Sequence, residues 1–357
     1  MRALGASRTS LVPGGVLAGP WVRNDLWRRA RAVPSLDLRF ADNKSLIDAV
    51  TGASLVTFTR ASSGTFVGSD GVLQTAATNV PRFDHNPTTG ESLGLLVEEQ
   101  RTNLLLNSGT LSTQSVTVTA VAHTLSFTGT GTITLTGTST AGPLVGTGTG
   151  ESNRVSLTFT PTAGSLTLTV SGTITNAQLE VGSFRTSYIS TTGAAVTRNA
   201  DVASITGSAF SGWYRQDEGT VFADFNGTNI ASGQFPRIFE FNDGASNNAI
   251  RVQQYGPNTV RASIVTATVT QFAADNGSVA VGVRGKTAFG SALNDAALVT
   301  NGASPTTDAT YLVPSGLTQL SIGSPLNAST NVLNSTIRRL TYWPSRLSNI
   351  TLQQITQ

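Results

Sequence analysis

The run Leu166-Thr167-Leu168-Thr169-Val170 leaves little freedom of fold, because apolar side chains alternate with threonines along it. A period of two puts an apolar face and a polar face on one extended segment, the mark of a half-buried antiparallel strand. The same alternation runs through Val116-Thr117-Val118-Thr119, Leu125-Ser126-Phe127, Ile133-Thr134-Leu135 and Val155-Ser156-Leu157-Thr158-Phe159. Short strands at this spacing, with glycine turns between them, predict a sandwich or barrel between Ser108 and Thr206. Pro161 fits a strand end or an edge.

Composition narrows the function classes. Charged residues make up 12% of the 357 residues, against about 25% in a typical soluble domain. A polar but uncharged, β-rich chain suits an exposed fibre or lectin module better than a cytosolic enzyme. The absence of cysteine excludes disulfides, thiolate nucleophiles and cysteine-zinc sites. His85 and His123 are the only histidines, too few for a multi-histidine metal site.

The sequence pI of 9.6 invites a nucleic-acid reading, but the charge is in the wrong place. Residues 1–40 hold seven arginines and two aspartates, a net of +5, so with a total of +3 the remainder carries −2. A body that bound nucleic acid would need its own basic face. Met1 to Pro20 lacks the unbroken apolar core of a secretory signal. No stretch reaches the ~18 apolar residues of a membrane span. These features predict a protein that is neither exported alone nor inserted in a membrane. Asn24 or Asp25 can cap a short helix through Ala32, stopped by Pro34. Trp21, Arg23, Trp27, Arg28, Arg29 and Arg31 surround it. Aromatics and arginines are the side chains enriched at interface centres, so this leader reads as a docking segment for an acidic partner surface.

The densest non-repeating chemistry lies between Leu36 and Asn107. Val56-Thr57-Phe58-Thr59 is a short β run closed by Arg60. Phe66-Val67 and Val72-Leu73 flank Ser69-Asp70-Gly71, and Asp-Gly supplies the positive φ of a tight hairpin. Gly94-Leu95-Leu96-Val97 is long enough for a buried strand and too short for a helix. Asp84, His85, Glu98, Glu99 and Arg101 admit two readings. One is a carboxylate pair with a histidine, suited to hydrolysing a sugar bond. The other is structural: Asp84 and His85 tie a loop to itself, and Arg101 pairs with a glutamate. The second is preferred.

The F-x-R-A-S turn at Phe58 to Ser62 and the run PRFDHNPTTGESLGLLVEEQRTNLL resemble the signature of head spike fibre and tail fibre proteins of bacteriophages and gene transfer agents. The resemblance covers Val56 to Leu105, about a seventh of the chain. It implies a structural virion protein, exposed on a particle assembled in the host cytoplasm. Its partners would be capsid, spike base or tail proteins and a host surface polysaccharide. A homo-oligomer is implied, with a trimer preferred to a pentamer. A signature shared by fibres with different targets also fits the structural reading of its charged residues.

Two further resemblances concern fold. Gln178-Leu179-Glu180 followed by Thr186-Ser187-Tyr188-Ile189 is similar to the exit strand of carbohydrate-binding jelly rolls. Gly219-Thr220-Val221-Phe222 and the closing run Ile337 to Ser348 are similar to concanavalin A-like domains of the laminin-G type. The expected fold is therefore all-β in three units: a basic extended arm over 1–35, the signature region with a jelly-roll sandwich over 36–206, and a concanavalin A-like lectin sandwich over 207–357. Sugar sites use a flat aromatic with polar loop side chains, which nominates Trp213, Tyr214, Tyr255, Asn258, Asn242 and Asp243. Trp213 and Tyr214 could instead seal a join between units, and Trp343 reads as core. Asp243, Asp275 and Asp295 are too scattered for a calcium loop, so no cofactor is expected. The E-x-D-x-x-E motif of related glucanases is missing, and no enzyme is expected. A decoration protein without a ligand and a polysaccharide depolymerase are the alternatives.

Overall fold

The computed structural model describes residues 25–231, 233–245, 247–256, 258–310, 312–325 and 330–357. They form an all-β protein made of two β-sandwiches. In the larger, an eight-stranded sheet runs Thr306–Asp308, Asp295–Thr300, Arg284–Ala292, Glu218–Asn226, Ser335–Trp343, Ser92–Val97, Phe83–His85, and Leu36–Leu38 pairs with the far end of Ser335–Trp343. Opposite it, a seven-stranded sheet runs Thr57–Thr59, Val202–Thr206, Gln319–Ile322, Arg237–Asn242, Ala249–Tyr255, Thr259–Thr266, Val269–Ser278. Their facing sides share one core that includes Phe58, Phe225, Phe239, Phe241, Ile264, Phe289 and Leu340. Burying apolar surface of this extent is the main favourable term of folding.

The smaller sandwich packs a four-stranded sheet (Leu144–Val145, Thr132–Gly137, Gly164–Ser171, Gln114–Val118) on a three-stranded one (Val155–Phe159, His123–Gly129, Ile174–Val181). The apolar members of the alternating runs point inward: Leu125, Phe127, Ile133, Leu135, Leu166 and Leu168 are buried together. The sandwich expected from threonine alternation is the one that forms.

The order of the units differs from the one expected. The chain enters the small sandwich through Arg101–Asn103 and leaves it through Val196–Arg198, and these two strands pair with each other. The small sandwich is thus an insertion in the large one. The signature strands belong to the large sandwich: Leu95 pairs with Ile337, and Phe58 with Ala203. A division at 206/207 would cut through hydrogen-bonded sheets, because Val202–Thr206 also pairs with Gln319–Ile322. The alternation of a strand states which side chains turn inward. It does not state which distant strand completes the ladder.

The described part of the leader, from Asp25, holds the expected short helix, and this helix is packed on the body. Asp25–Ala30 is a helix that lies with Asn349–Thr356 on the outer side of the eight-stranded sheet, and Leu26, Trp27, Ala30, Leu352 and Ile355 pack there on Phe222, Val299 and Trp343. The helix stops short of Ala32 because Arg31 turns to φ 53°, a conformation that ends helices. Ser348 caps the last helix by accepting the Thr351 N–H at 3.2 Å, as its position before the helix predicts.

Candidate functional site

The signature side chains converge on a charge cluster beside the neck between the sandwiches. Arg60 donates to Asp201 at 3.0 Å, and Arg82 bridges Asp201 and Glu98, reaching Glu98 at 2.8 Å. Arg198 reaches the same Glu98 carboxylate at 2.5 Å. Ser187 adds its N–H and its hydroxyl to Glu98 at 2.7 and 2.6 Å. Three guanidiniums meet two carboxylates, and the surplus charge is spread over carbonyls such as Thr65 and Ala77. Burial pushes the Glu98 carboxyl up, but Arg198, Arg82 and Ser187 outweigh it and hold it at about 2. With every oxygen engaged and water excluded, this cluster joins segments far apart in sequence.

Asp84 and His85 serve the neighbouring hairpin. Asp84 accepts the Val67 N–H at 2.7 Å, and His85 Nδ1 meets the Val67 carbonyl at 2.9 Å. Glu99 pairs with Arg101. The structural reading of these five residues therefore matches their contacts.

A different surface gathers polar, charged and aromatic side chains. On the seven-stranded sheet, Phe239 and Phe241 point into the core, so Glu240 and Asn242 point out. Glu240 stands beside Arg251 on one side and Ser321 on the other, and Ser204 follows Ser321. Arg237 and Arg251 donate to Glu240 at 2.9 and 3.0 Å, and Asn242 donates at 3.3 Å. Arg237 also holds Gln253. Toward one end, Phe235 stacks on Tyr255 with ring centroids 5.5 Å apart and planes 6° apart. The Arg261 guanidinium sits 3.5 Å from the centroid of the Tyr255 ring and grips Asp275 at 2.6 and 2.9 Å. The outcome is a row of amides, hydroxyls and fixed guanidiniums ending in an aromatic pair. Glu240, Asn242, Gln253 and Ser321 are themselves buried in this row, so what it can present to a polar ligand is the slightly exposed Arg251, the half-buried Ser204 and the edge of the Phe235–Tyr255–Arg261 stack.

The nominated residues are only partly brought together. Tyr255 and Asn242 lie on this face, at opposite ends: Tyr255 is beyond Gln253, which pairs with Arg237, whereas Asn242 pairs with Ala249. Asn258 sits at φ 70° in the hairpin after Tyr255, and its carbonyl accepts the Val279 N–H. Asp243 turns the chain by accepting from Ala245 N–H and Asn248. Trp213 and Tyr214 are corrected outright. Their rings pack on Phe210, Phe241 and Tyr342 inside the sandwich, so neither is a platform for a sugar. The short helix Gly207–Ser211 carries them under the sheet. Arg237, Glu240, Arg251 and Arg261 were missed, although the alternation of Phe239-Glu240-Phe241-Asn242 already marked Glu240 as outward.

The docking residues are likewise divided. Trp21 and Arg23 lie outside the described residues. Trp27 is spent within the chain: its ring is buried and its Nε1 donates to Asp37 at 3.0 Å. Arg29 donates to the Gln354 and Gln357 carbonyls. Arg28 pairs with Asp25 in solvent, and Arg31 is exposed. Among the described residues no group of three or more His, Asp or Glu is placed to hold a metal. No described helix is long and apolar enough to cross a membrane.

No protein-family model matches the sequence, and no curated protein matches it. Solved structures similar to part of the chain include the CBM40 of Ruminococcus gnavus IT-sialidase bound to α2,3-sialyllactose, at 15% identity and a TM-score of 0.34 over 40% of this chain and 83% of that one. Domain 4 of AbnA, a GH43 extracellular arabinanase from Geobacillus stearothermophilus, in complex with arabinotriose, has 11% identity and a TM-score of 0.35 over 44% and 73% of the two chains. The NanB sialidase of Streptococcus pneumoniae has 14% identity and a TM-score of 0.34 over 41% and 25%.

Proposed function

We propose that this protein is an adhesive structural component of a phage-like particle, and that it holds host surface polysaccharide on the outer face of the seven-stranded sheet. The observation that carries the glycan half is the Glu240 row. Its arginines and the Asn242 amide are locked on Glu240 next to the Phe235–Tyr255 pair. Side chains fixed before the ligand arrives lose little entropy on binding. The particle half is supported by the signature resemblance over Val56 to Leu105. Weak single sites on such a protein gain strength through repetition on an oligomer.

Binding of the purified chain to a panel of bacterial surface polysaccharides tests the glycan half. Arg251→Ala and Tyr255→Ala should each weaken it about tenfold, as loss of one good polar or ring contact does. Unchanged affinity in both variants would remove the sheet face from consideration. Reducing ends appearing during the incubation would mark a depolymerase instead of an adhesin. Imaging particles with a label on this chain tests its place on the virion.

A further inference from the structure

A cavity of about 800 Å³ opens where the two sandwiches meet, and neither the fold nor the sheet face accounts for it. One wall is the neck strand with Glu99 and Arg101. A second is the small sandwich with Gly182 and Phe184. The third is the large sandwich with Asn229, Gln234 and Asn334. Its volume lies within the range of ligand sites, about 300–1,000 Å³.

The wall is built rather than left over. The Arg101 side chain is 9% exposed, pairs with Glu99 and lies 4.9 Å from the centroid of the Phe184 ring. Its Nε is buried without a hydrogen-bond partner, a donor that costs free energy until something accepts from it. Gly182 makes room for this guanidinium: a Cβ there would lie 1.6 Å from Arg101 Nη1. Glu99 is held in turn by Asn334, which accepts its N–H at 2.8 Å and donates to its carboxylate at 3.1 Å.

The lining also states the ligand's charge. Among the described residues, Glu99 and Arg101 are the only charged ones lining the cavity, and they cancel. What remains is the Gln100, Asn229 and Gln234 amides and the Thr102 and Thr330 hydroxyls, groups that donate and accept, while Asn334 is taken up by Glu99 and the Val332 carbonyl. An anion would find no net attraction here, whereas a hydroxyl-rich neutral molecule would find paired donors and acceptors beside one aromatic ring. We infer that this cleft is a second glycan site, specific for an uncharged oligosaccharide that rests against the wall made by Arg101 and the Phe184 ring. The inference takes its ligand class from the glycan reading but does not depend on the sheet face.

The test is calorimetric titration of the full chain with neutral gluco-, galacto- and manno-oligosaccharides. Ala231→Trp fills the cleft from its rim, Asn229→Ala removes an exposed amide, and Gly182→Ala displaces Arg101. Ala231→Trp and Gly182→Ala should weaken a neutral ligand at least about tenfold and Asn229→Ala about threefold. Arg251→Ala should leave it within about twofold, and added salt should change little. Thermal unfolding of Ala231→Trp and Asn229→Ala checks that they fold, so the result does not hang on Gly182→Ala. If no neutral oligosaccharide binds, or if binding survives Ala231→Trp and is lost in Arg251→Ala, the cleft is not a site and the sheet face stands alone. If glycan binding ignores Arg251→Ala and Tyr255→Ala but is lost in the cleft variants, the sheet face fails and the cleft stands.

Discussion

Arg82 donates to Glu98 at 2.8 Å with both side chains almost fully out of solvent. Residues of two signature motifs, PRFDH and GLLVE, are thereby locked together, and Arg198 and Asp201 from the far side of the inserted sandwich join them. Removing one member leaves a buried charge without its partner. Glu98→Gln should destabilise the protein by about 3–5 kcal/mol, read as a lower urea midpoint. A loss under about 1 kcal/mol would mean the cluster does not hold the neck.

The same carboxylate sets the acid limit. Its folded value near 2 lies below its ordinary 4.5, so the stabilisation is complete above about pH 4.5. It is lost as the pH falls toward 2. Unfolding free energy measured over that window should decline with falling pH, and the decline should be shallower in Glu98→Gln.

Asp84 has the opposite sign. Burial pushes its carboxyl up to about 6, despite the Val67 N–H that favours its charged form. A raised carboxyl stabilises most below its ordinary value of 3.8 and loses that contribution as pH rises through 6. Asp84→Asn keeps an acceptor for Val67 and removes the charge. It should raise stability by about 1–2 kcal/mol at neutral pH, with the gain vanishing near pH 4.

Gly94 sits at φ 94° in a signature strand, and a Cβ there would lie 2.1 Å from the Ile337 carbonyl oxygen of the neighbouring strand. Gly94→Ala should therefore cost about 3 kcal/mol or more, through both backbone strain and a parted ladder. Chemical unfolding of the purified variant would show it.

Trp27 should behave as a core residue of the isolated chain. Trp27→Ala should cost about 3–5 kcal/mol, and acrylamide should quench its fluorescence poorly before any particle is present. Efficient quenching would return this ring to the role of a partner's anchor.

The strands of both sandwiches were legible because alternation is a local property. Leu166 to Val170 and Phe239 to Asn242 could be assigned an inward and an outward side from their own order. The residues of the proposed site were less legible. Tyr255, half-buried, does lie on the outer face, but Trp213 and Tyr214 look the same in sequence and pack on the core, because the helix before them carries them between the sheets. Arg251 and Glu240 gave no signal of partnership, since their pairing depends on which strands become neighbours.

The order of side chains along this chain therefore determined its class, its strands and the hydrogen-bonding vocabulary of its surfaces. Tertiary structure decided the rest: that the signature completes the large sandwich, that Trp27 is used internally, and that a cleft opens beside Arg101. The reason is range. Alternation acts between adjacent residues, whereas Arg60 meets Asp201 across 141 positions, and only the closed fold brings such groups within reach of one another.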